Sequence, residues 1–405
     1  MPRAEARVRT LAPRAANLKR GDAMSEDLPG WLRLAFADGI GPVCASRLLD
    51  HFKSPGAIFA ASGAALEAAG LRPAQVRSLL ERDTIRDALI DQTLAWATLK
   101  GSQIVIRTDP DYPESLANIH DPPIVLFMNG ERRWLERPML AMVGSRNATL
   151  HGSDTATELA QHLSQAGWTI VSGLALGIDL AAHQGALRGP GSTLAVLGCG
   201  IDRIYPRRHE ALARQIAEQG ALISELPPGT PPAAAFFPRR NRLIAGLAAG
   251  VIVVEAALQS GSLITARLAS ECGREVFAVP GPIRSGVSRG CHQLLREGAT
   301  LVESAADILI QCPAPAIQPG SAELTDSIRP IGQTPRGDVL SDPLQRRILS
   351  LLQGGAAHPD QIAAHLGLQV HEIAASLLEL ELRGLLLTGA QGLLSPLALA
   401  LHCRG

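Results

Sequence analysis

Arginine carries most of the cationic chemistry of this chain, because Lys19, Lys53 and Lys100 are its only lysines and all lie in the first quarter. Between Phe237 and Thr265 the sequence sets Phe237-Pro238-Arg239-Arg240-Asn241-Arg242 at a helix start. The apolar run Val251-Ile252-Val253-Val254-Glu255 follows, and then Ser260-Gly261-Ser262-Leu263-Ile264-Thr265. Ligands of open α/β sheets bind beyond the carboxyl ends of strands, where helix starts offer free N–H groups to anions, so this pattern points to bound phosphate. No Gly-Lys-Ser/Thr triplet occurs, which excludes a Walker-type phosphate loop. No lysine lies near the site to form the Schiff base that pyridoxal phosphate chemistry requires. Arginine grips oxyanions with two parallel donors and stays charged near neutral pH, which suits binding better than proton transfer.

Other apolar runs also end in small residues. Val143 leads to Gly144-Ser145-Arg146, Val171 to Ser172-Gly173-Leu174-Ala175-Leu176-Gly177-Ile178-Asp179, and Leu197 to Gly198-Cys199-Gly200. Small residues let backbone amides approach a ligand and hydroxyls add donors, so the set predicts an extended anionic ligand. At least two of Arg239, Arg240 and Arg242 are expected on phosphate. Asp179 is expected to brace the turn after Gly177, and His183 to be a structural hydrogen-bonding histidine near the groove. Glu225 and Glu255 are expected to pair with the nearby arginines. Asp109 and Asp111 read as turn residues. Cys44, Cys199, Cys272, Cys291, Cys312 and Cys403 show no metal spacing and read as reduced thiols, so neither a metal nor a cofactor is expected. Aromatic residues make up 3% of the chain, too few for a ladder of stacked bases. Binding through phosphate predicts weak sequence preference and a steep salt dependence.

The elements that must position these residues follow from hydropathy patterning. Residues 139 to 311 alternate apolar runs at 140–143, 169–171, 193–197, 221–223, 251–254 and 275–279 with helical patterns such as 156–166, 180–187 and 210–218. Apolar strands buried on both faces predict an α/β, Rossmann-like, doubly wound and mainly parallel sheet. Residues 25–98 read as a helical module, SAM-like or helix-hairpin-helix-like around Gly39-Ile40-Gly41, and 99–311 as the extended Rossmann-like domain. Within the latter, the Pro-rich stretch from Ile104 to Phe127 predicts edge strands and turns. Residues 312–338 read as a linker, and 339–400 as a winged helix with helices at 344–352, 359–366 and 370–382 and a wing around Gly389 and Gly392. Residues 1–24 read as a disordered tail, with Met1 or Met24 as the start.

Formal net charge is zero, so a nucleic-acid site must be a local patch. The basic first 23 residues lack an apolar signal core, no run is long enough to span a bilayer, and the chain reads as cytoplasmic.

Taken in order, Gly144-Ser145-Arg146, Ser172-Gly173 through Gly177-Ile178-Asp179 to His183, Tyr205-Pro206-Arg207, Ser224-Glu225, Phe237 to Arg242 and Val254-Glu255-Ala256 resemble the DNA-processing protein A family, DprA or Smf. Ser260-Gly261-Ser262, Thr265-Ala266-Arg267, Gly273-Arg274-Glu275-Val276 and Val279-Pro280-Gly281 extend the match across about residues 100 to 311. The resemblance implies a single-stranded DNA-binding protein of natural transformation that dimerises through the Rossmann-like domain, coats incoming strands and loads the RecA recombinase. It places Arg146 on a phosphate, with Ser172, Gly173 and Gly177 close to the strand. Arg239, Arg240, Asn241, Arg242 and the Ser260 to Thr265 helix start complete the groove. Leu176 stands where relatives often carry Arg or Lys, which shifts the charge to Arg207 or Arg208 or weakens binding. Val370 to Arg383 is acidic, which suits a protein contact better than DNA reading.

The main rival is a nucleotide-hydrolysing enzyme of the lysine-decarboxylase-like group, but alignment on Thr265 puts Leu268 where that group has its glutamate, and leucine transfers no proton. A dinucleotide oxidoreductase lacks its Gly-x-Gly-x-x-Gly run.

Overall fold

A computed structural model describes residues 27–313, 343–352, 357–382, 385–388 and 394–396 of the chain. The tail before residue 27, most of the linker and the wing tip with Gly389 and Gly392 lie outside the described residues, as do Arg383 and Cys403. The chain divides into two compact units, 1–318 and 319–405.

The first unit opens with six helices, α1 (Leu28–Ala35), α2 (Pro42–Phe52), α3 (Pro55–Ala60), α4 (Gly63–Ala68), α5 (Pro73–Leu80) and α6 (Thr84–Ala97). Proline starts α2, α3 and α5, where its missing N–H costs no hydrogen bond, and Ser54, Ser62 and Asp83 cap α3, α4 and α6 through their side chains. Gly39, at φ 74°, turns the chain between α1 and α2 and sends Ile40 into the interior.

Next come β1 (Ser102–Ile106), α7 (Glu114–Ala117), β2 (Val125–Gly130), β3 (Met139–Val143), α8 (Leu150–Gln165), β4 (Thr169–Ser172), α9 (Ile178–Ala186) and β5 (Thr193–Val196). The unit ends with α10 (Glu210–Gln219), β6 (Ala221–Ser224), α11 (Phe236–Leu247), β7 (Gly250–Val253), α12 (Gly261–Glu271), β8 (Glu275–Ala278), α13 (Arg289–Arg296), β9 (Thr300–Leu301) and α14 (Ala305–Gln311). These strands form one nine-stranded sheet in the order β1-β2-β6-β5-β4-β3-β7-β8-β9. From β6 to β9 every pairing is parallel, while β1 and β2 join antiparallel at one side. The doubly wound reading holds. The chain steps outward from β3 to β6, returns to the other side of β3 at β7 and steps outward again, so the winding direction reverses between β3 and β7.

Alternate residues of each strand face opposite layers. Ala141, Val171, Leu194 and Val251 pack toward α7, α11, α12 and α13. Leu140, Met142, Ile170 and Ile252 pack toward α8, α9 and α14. Further along that second face, Ile106, Phe127, Ala195 and Leu222 share an apolar cluster with the N-terminal helices and α10. Phe127 lies 6.3 Å from the ring of Phe36 and 6.1 Å from that of Trp96, which ties the helical segment to the sheet.

In the Pro-rich stretch β1 is an edge strand as expected, whereas β2 is interior and bonds both β1 and β6. Pro110, Pro113, Pro122 and Pro123 all lie in the connection, which leaves every N–H of β2 free to pair. Asp109 and Asp111 both bond the guanidinium of Arg132 at 2.9 Å, an ion-pair role beyond the turn they occupy.

The second unit holds α15 (Pro343–Leu352), α16 (Pro359–Leu366), α17 (Val370–Leu382) and the antiparallel pair β10 (Leu386–Thr388) and β11 (Leu394–Pro396). Ile348, Ile362, Ile373, Leu380 and Leu394 form its own core. A bridge from Ala357 to Leu394 completes a winged-helix arrangement.

Candidate nucleic-acid interface

A cleft of about 760 Å³ opens beyond the carboxyl ends of β3 and β7, at the place where the winding reverses. Open α/β sheets bind ligands at this switch point, because the loops on either side diverge. The loop after β3 supplies Gly144, Ser145, Arg146 and Asn147. The loop after β7 and the start of α12 supply Ser260, Gly261, Ser262 and Thr265, and α11 supplies Phe237, Arg240 and Asn241.

Arg146 is exposed, its guanidinium sits 5.7 Å from the Phe237 ring centroid, and among the described residues no carboxylate comes within 4.0 Å of it. A cation held over an aromatic face keeps its orientation and its charge. Across the cleft, Ser260 caps α12 by accepting the Ser262 N–H at 3.3 Å, and the Asn241 side chain donates to the Gly261 carbonyl at 3.4 Å. A Cβ added at Gly261 would meet nothing within 4 Å, so the first turn of this helix faces open space.

Beneath the cleft a set of buried polar groups fixes the loop from Ser172 to Gly177. Asp179 accepts the N–H groups of Gly173 (3.1 Å) and Ala175 (3.3 Å). His183 Nε2 accepts the Leu174 N–H at 3.2 Å while its Nδ1 lies 2.7 Å from the Thr193 hydroxyl. The Thr193 hydroxyl donates to the Ile170 carbonyl, so Nδ1 carries the proton and the ring is neutral. His209 holds the Leu174 carbonyl at 3.0 Å, and Arg240 donates to the carbonyls of Gly173 (2.5 Å) and Val196 (2.6 Å). These contacts keep Leu174 at φ 58°, a left-handed conformation unusual for leucine.

Burial pushes the His183 pKa down to about 3, with the charges of Arg240 and His209 adding to it. Burial raises the Asp179 pKa, opposed by Arg240 and the loop amides. Burial lowers that of Arg240, opposed by Asp179. Asp179 and His183 thus both hydrogen-bond the backbone of the loop from Gly173 to Ala175.

Several expected roles change. The loop amides of Gly173 and Ala175 already hold a carboxylate, and the Ser172 hydroxyl is fully buried and donates to the Met142 carbonyl at 2.7 Å, so both are engaged within the fold. Glycine is needed at 173 because a Cβ would collide with the Arg240 guanidinium, and at 177 because a Cβ would strike the Ser145 carbonyl. Gly144 likewise packs on Ile178, 2.6 Å from where a Cβ would stand. These glycines serve loop-to-loop packing.

The arginine cluster also divides. Arg242 is buried and paired with Glu225 and with Asp121 at 3.0 Å, which removes it from phosphate contact. Arg240 lies under the loop and lends the cleft floor its field. Arg239 is open but 3.7 Å from Glu225 and outside the cleft lining. Fewer than two of the three are thus free to meet phosphate directly, because helix α11 carries alternate arginines into the interior. Glu225 pairs with arginine as expected. Glu255 does not: it accepts the Thr149 N–H (3.0 Å) and hydroxyl (2.6 Å) at the start of α8. Arg207 and Arg267 are exposed outside the cleft, whereas Arg208 lines a second cleft together with Leu176.

Tyr205, Phe237 and His209 line the two clefts but were not among the site residues chosen from the sequence. The Tyr205 and Phe237 rings stand 5.6 Å apart in the cleft wall. Their only sequence signal was membership of short motifs. Among the described residues no group of three or more His, Cys, Asp or Glu is placed to hold a metal, and the described cysteines are unpaired. No described helix is long and apolar enough to cross a membrane.

The family model for DNA recombination-mediator protein A matches residues 103–313, and that for the DprA winged helix domain matches 333–392. Protein Smf of Escherichia coli is 42% identical over 297 residues, which cover 73% of this chain and 78% of that protein. DNA processing protein DprA of Streptococcus pneumoniae is 47% identical over 203 residues, or 50% of this chain and 72% of that protein. The X-ray structure of DprA from the same organism aligns with a TM-score of 0.61 at 37% identity, over 69% of this chain and 95% of that one. With one family model spanning more than half of the chain and relatives matched over most of their own length, the chain belongs to the DNA recombination-mediator protein A family, the DNA-processing proteins DprA and Smf.

Proposed function

We propose that the switch-point cleft binds the phosphate backbone of single-stranded DNA without catalysing a reaction on it. The observation that carries this reading is Arg146, exposed and unpaired among the described residues, facing the open first turn of α12 across a cleft of about 760 Å³. A guanidinium on one wall and a helix start on the other are a site for an oxyanion. Glu225, Glu255 and Asp179 each hold a structural partner, and Leu268 packs against the core, which favours binding over hydrolysis.

In keeping with the family resemblance, the bound strand is shielded and handed to a RecA recombinase during natural transformation or recombination. The protein acts as a homodimer through the Rossmann-like domain, where Leu258 is an exposed apolar side chain (53%) available to such a contact. Stimulated nucleation of RecA on strands already coated by the protein tests the loading step.

The decisive measurement is single-strand affinity as a function of salt. Its logarithm falls by about 0.7 per neutralised phosphate for each decade of salt. Arg146→Ala lowers affinity by about 10- to 100-fold, the worth of a charge-assisted hydrogen bond, and flattens the slope by about 0.7. Affinity that ignores salt between about 50 and 200 mM excludes the phosphate reading.

A further inference from the structure

The loop from β8 to α13 stands beside the switch-point cleft without forming any of its walls. It is tied to the loop after β7 at Ala256, which donates its N–H to the Val287 carbonyl at 2.7 Å and accepts the Gly290 N–H at 2.7 Å. Ala257, Gln259 and Ser260, further along that β7 loop, line the cleft. The strands β3, β7 and β8 are successive neighbours in the sheet. With about 4.8 Å between neighbouring strands, the end of β8 lies roughly 10 Å from the end of β3, where Arg146 sits.

The β8 loop is braced from within. The Ser285 N–H donates to the Pro282 carbonyl at 2.9 Å, the Ser288 N–H to the Ser285 carbonyl at 3.3 Å, and His292 Nε2 to the Gly281 carbonyl at 3.0 Å. Pro280 and Pro282 fix two further backbone angles. On this frame Ile283 is 83% exposed, and Arg284 and Arg289 are exposed as well. Among the described residues neither guanidinium has a hydrogen-bond or ion-pair partner, and residues 279–292 contain no carboxylate. An isoleucine left in water gains nothing from burial, and two arginines without counter-charge repel each other. These three side chains therefore contribute little to the fold, whereas a polyanion with apolar ring faces offers a partner to each of them.

The geometry points to this loop as a second stretch of the single-strand track: the strand leaves the switch-point cleft past Ser260 and crosses to the β8 loop, where Arg284 and Arg289 take its next phosphates and Ile283 enters between its bases. This rests on the reading of the cleft as a phosphate site. Arginine pairs with phosphate oxygens through parallel donors, and aliphatic side chains held out on a protein surface are among the groups that wedge between neighbouring bases. An acidic peptide would satisfy the same two cations, but the direct link to the cleft through Ala256 favours the strand.

The test is the salt dependence of affinity of the full chain for an oligothymidylate of about 16 nucleotides, the upper end of the site sizes of single-strand-binding folds. Arg284→Ala/Arg289→Ala is expected to flatten the logarithmic slope by about 1.4, two phosphates at about 0.7 each, and to lower affinity about tenfold. Arg284→Lys/Arg289→Lys is expected to keep the slope. Arg77→Ala/Lys100→Ala, which removes the same charge from exposed positions before β1, is expected to leave it unchanged. Ile283→Ser is expected to weaken binding of the oligothymidylate severalfold and to spare an abasic strand of equal length, with the slope intact. Equal loss on both strands, or none on either, overturns the contact of Ile283 with bases. A wild-type slope in Arg284→Ala/Arg289→Ala, or an equal flattening in Arg77→Ala/Lys100→Ala, overturns the track, while the response to Arg146→Ala still decides the cleft. An intact slope together with lost binding of a polyglutamate peptide gives the loop to an acidic protein and overturns the track as well. Wild-type affinity that ignores salt overturns the cleft reading, and the track with it.

Discussion

At the scale of single residues, burial decides which charged groups stay open to solvent and which serve the fold. Arg146 and Arg242 carry the same guanidinium, yet Arg242 sits among Glu225, Asp121 and the interior while Arg146 faces solvent over Phe237. Breaking a buried ion pair strands the remaining charge, so Arg242→Ala is expected to cost about 3–5 kcal/mol in urea unfolding. Arg146→Ala is expected to leave the midpoint unchanged. His183 supplies a pH signature. Its folded pKa of about 3 lies below the ordinary value of 6.5, so its contribution is full above pH 6.5 and falls as the pH drops from there toward 3, because only the unfolded chain takes up the proton. Asp179, with its pKa raised, acts in the opposite sense: its contribution is full at low pH and is lost as the pH rises. Comparison with His183→Gln isolates the histidine. The stability advantage of the wild type over that variant is expected to shrink by about 2 kcal/mol between pH 7 and pH 5, and an advantage that stays constant refutes the neutral-imidazole assignment.

At the scale of elements, the interface is made by loops whose close approach depends on glycine. Gly177, at φ 72°, starts α9 against the Ser145 carbonyl and so locks the loop carrying Arg146 to the loop carrying Leu176. Gly177→Ala introduces a left-handed alanine, worth about 1–2 kcal/mol, and a clash with that carbonyl besides. Both the unfolding midpoint and single-strand affinity are expected to drop, whereas Gly261→Ala, which meets open space, is expected to leave the midpoint nearly unchanged. Element positions were largely legible. The strands at 169, 193, 221 and 275 start at the expected residues and α16 matches at both ends, because double burial leaves near-continuous apolar runs that patterning detects. Helix α8 begins six residues before the expected 156, since Thr149 caps Gly152 and Glu255 anchors Thr149 from another strand end. The two-residue β9 is too short to leave a pattern.

At the scale of the whole molecule, the two units have separate apolar cores. The C-terminal unit presents Val370 (38% exposed) and Leu378 (58% exposed) on α17, at i and i+8 on one face, where a DNA-reading helix would carry basic or amide side chains. Glu379 bonds Gln345 and Glu372 accepts the Gln369 N–H, so part of the acidic content of α17 is structural. Deletion of residues 340–405 is expected to leave single-strand affinity, measured by gel shift, largely intact, and a large loss assigns the unit to the DNA site.

The sequence by itself determined the alternating α/β architecture, the winged helix, the strand ends beyond which the cleft opens and the family, because periodic burial and small-residue turns are local properties written along the chain. Only the tertiary structure decided which of Arg239, Arg240 and Arg242 face inward, that Glu255 caps a helix, and that Asp179 fills the amides of its own loop. It also brought Leu176, Arg208 and Arg146 around one cleft. Those outcomes depend on which distant groups meet, and in a sheet that reverses its winding between β3 and β7 the partners lie tens of residues apart, where neither periodicity nor spacing reaches.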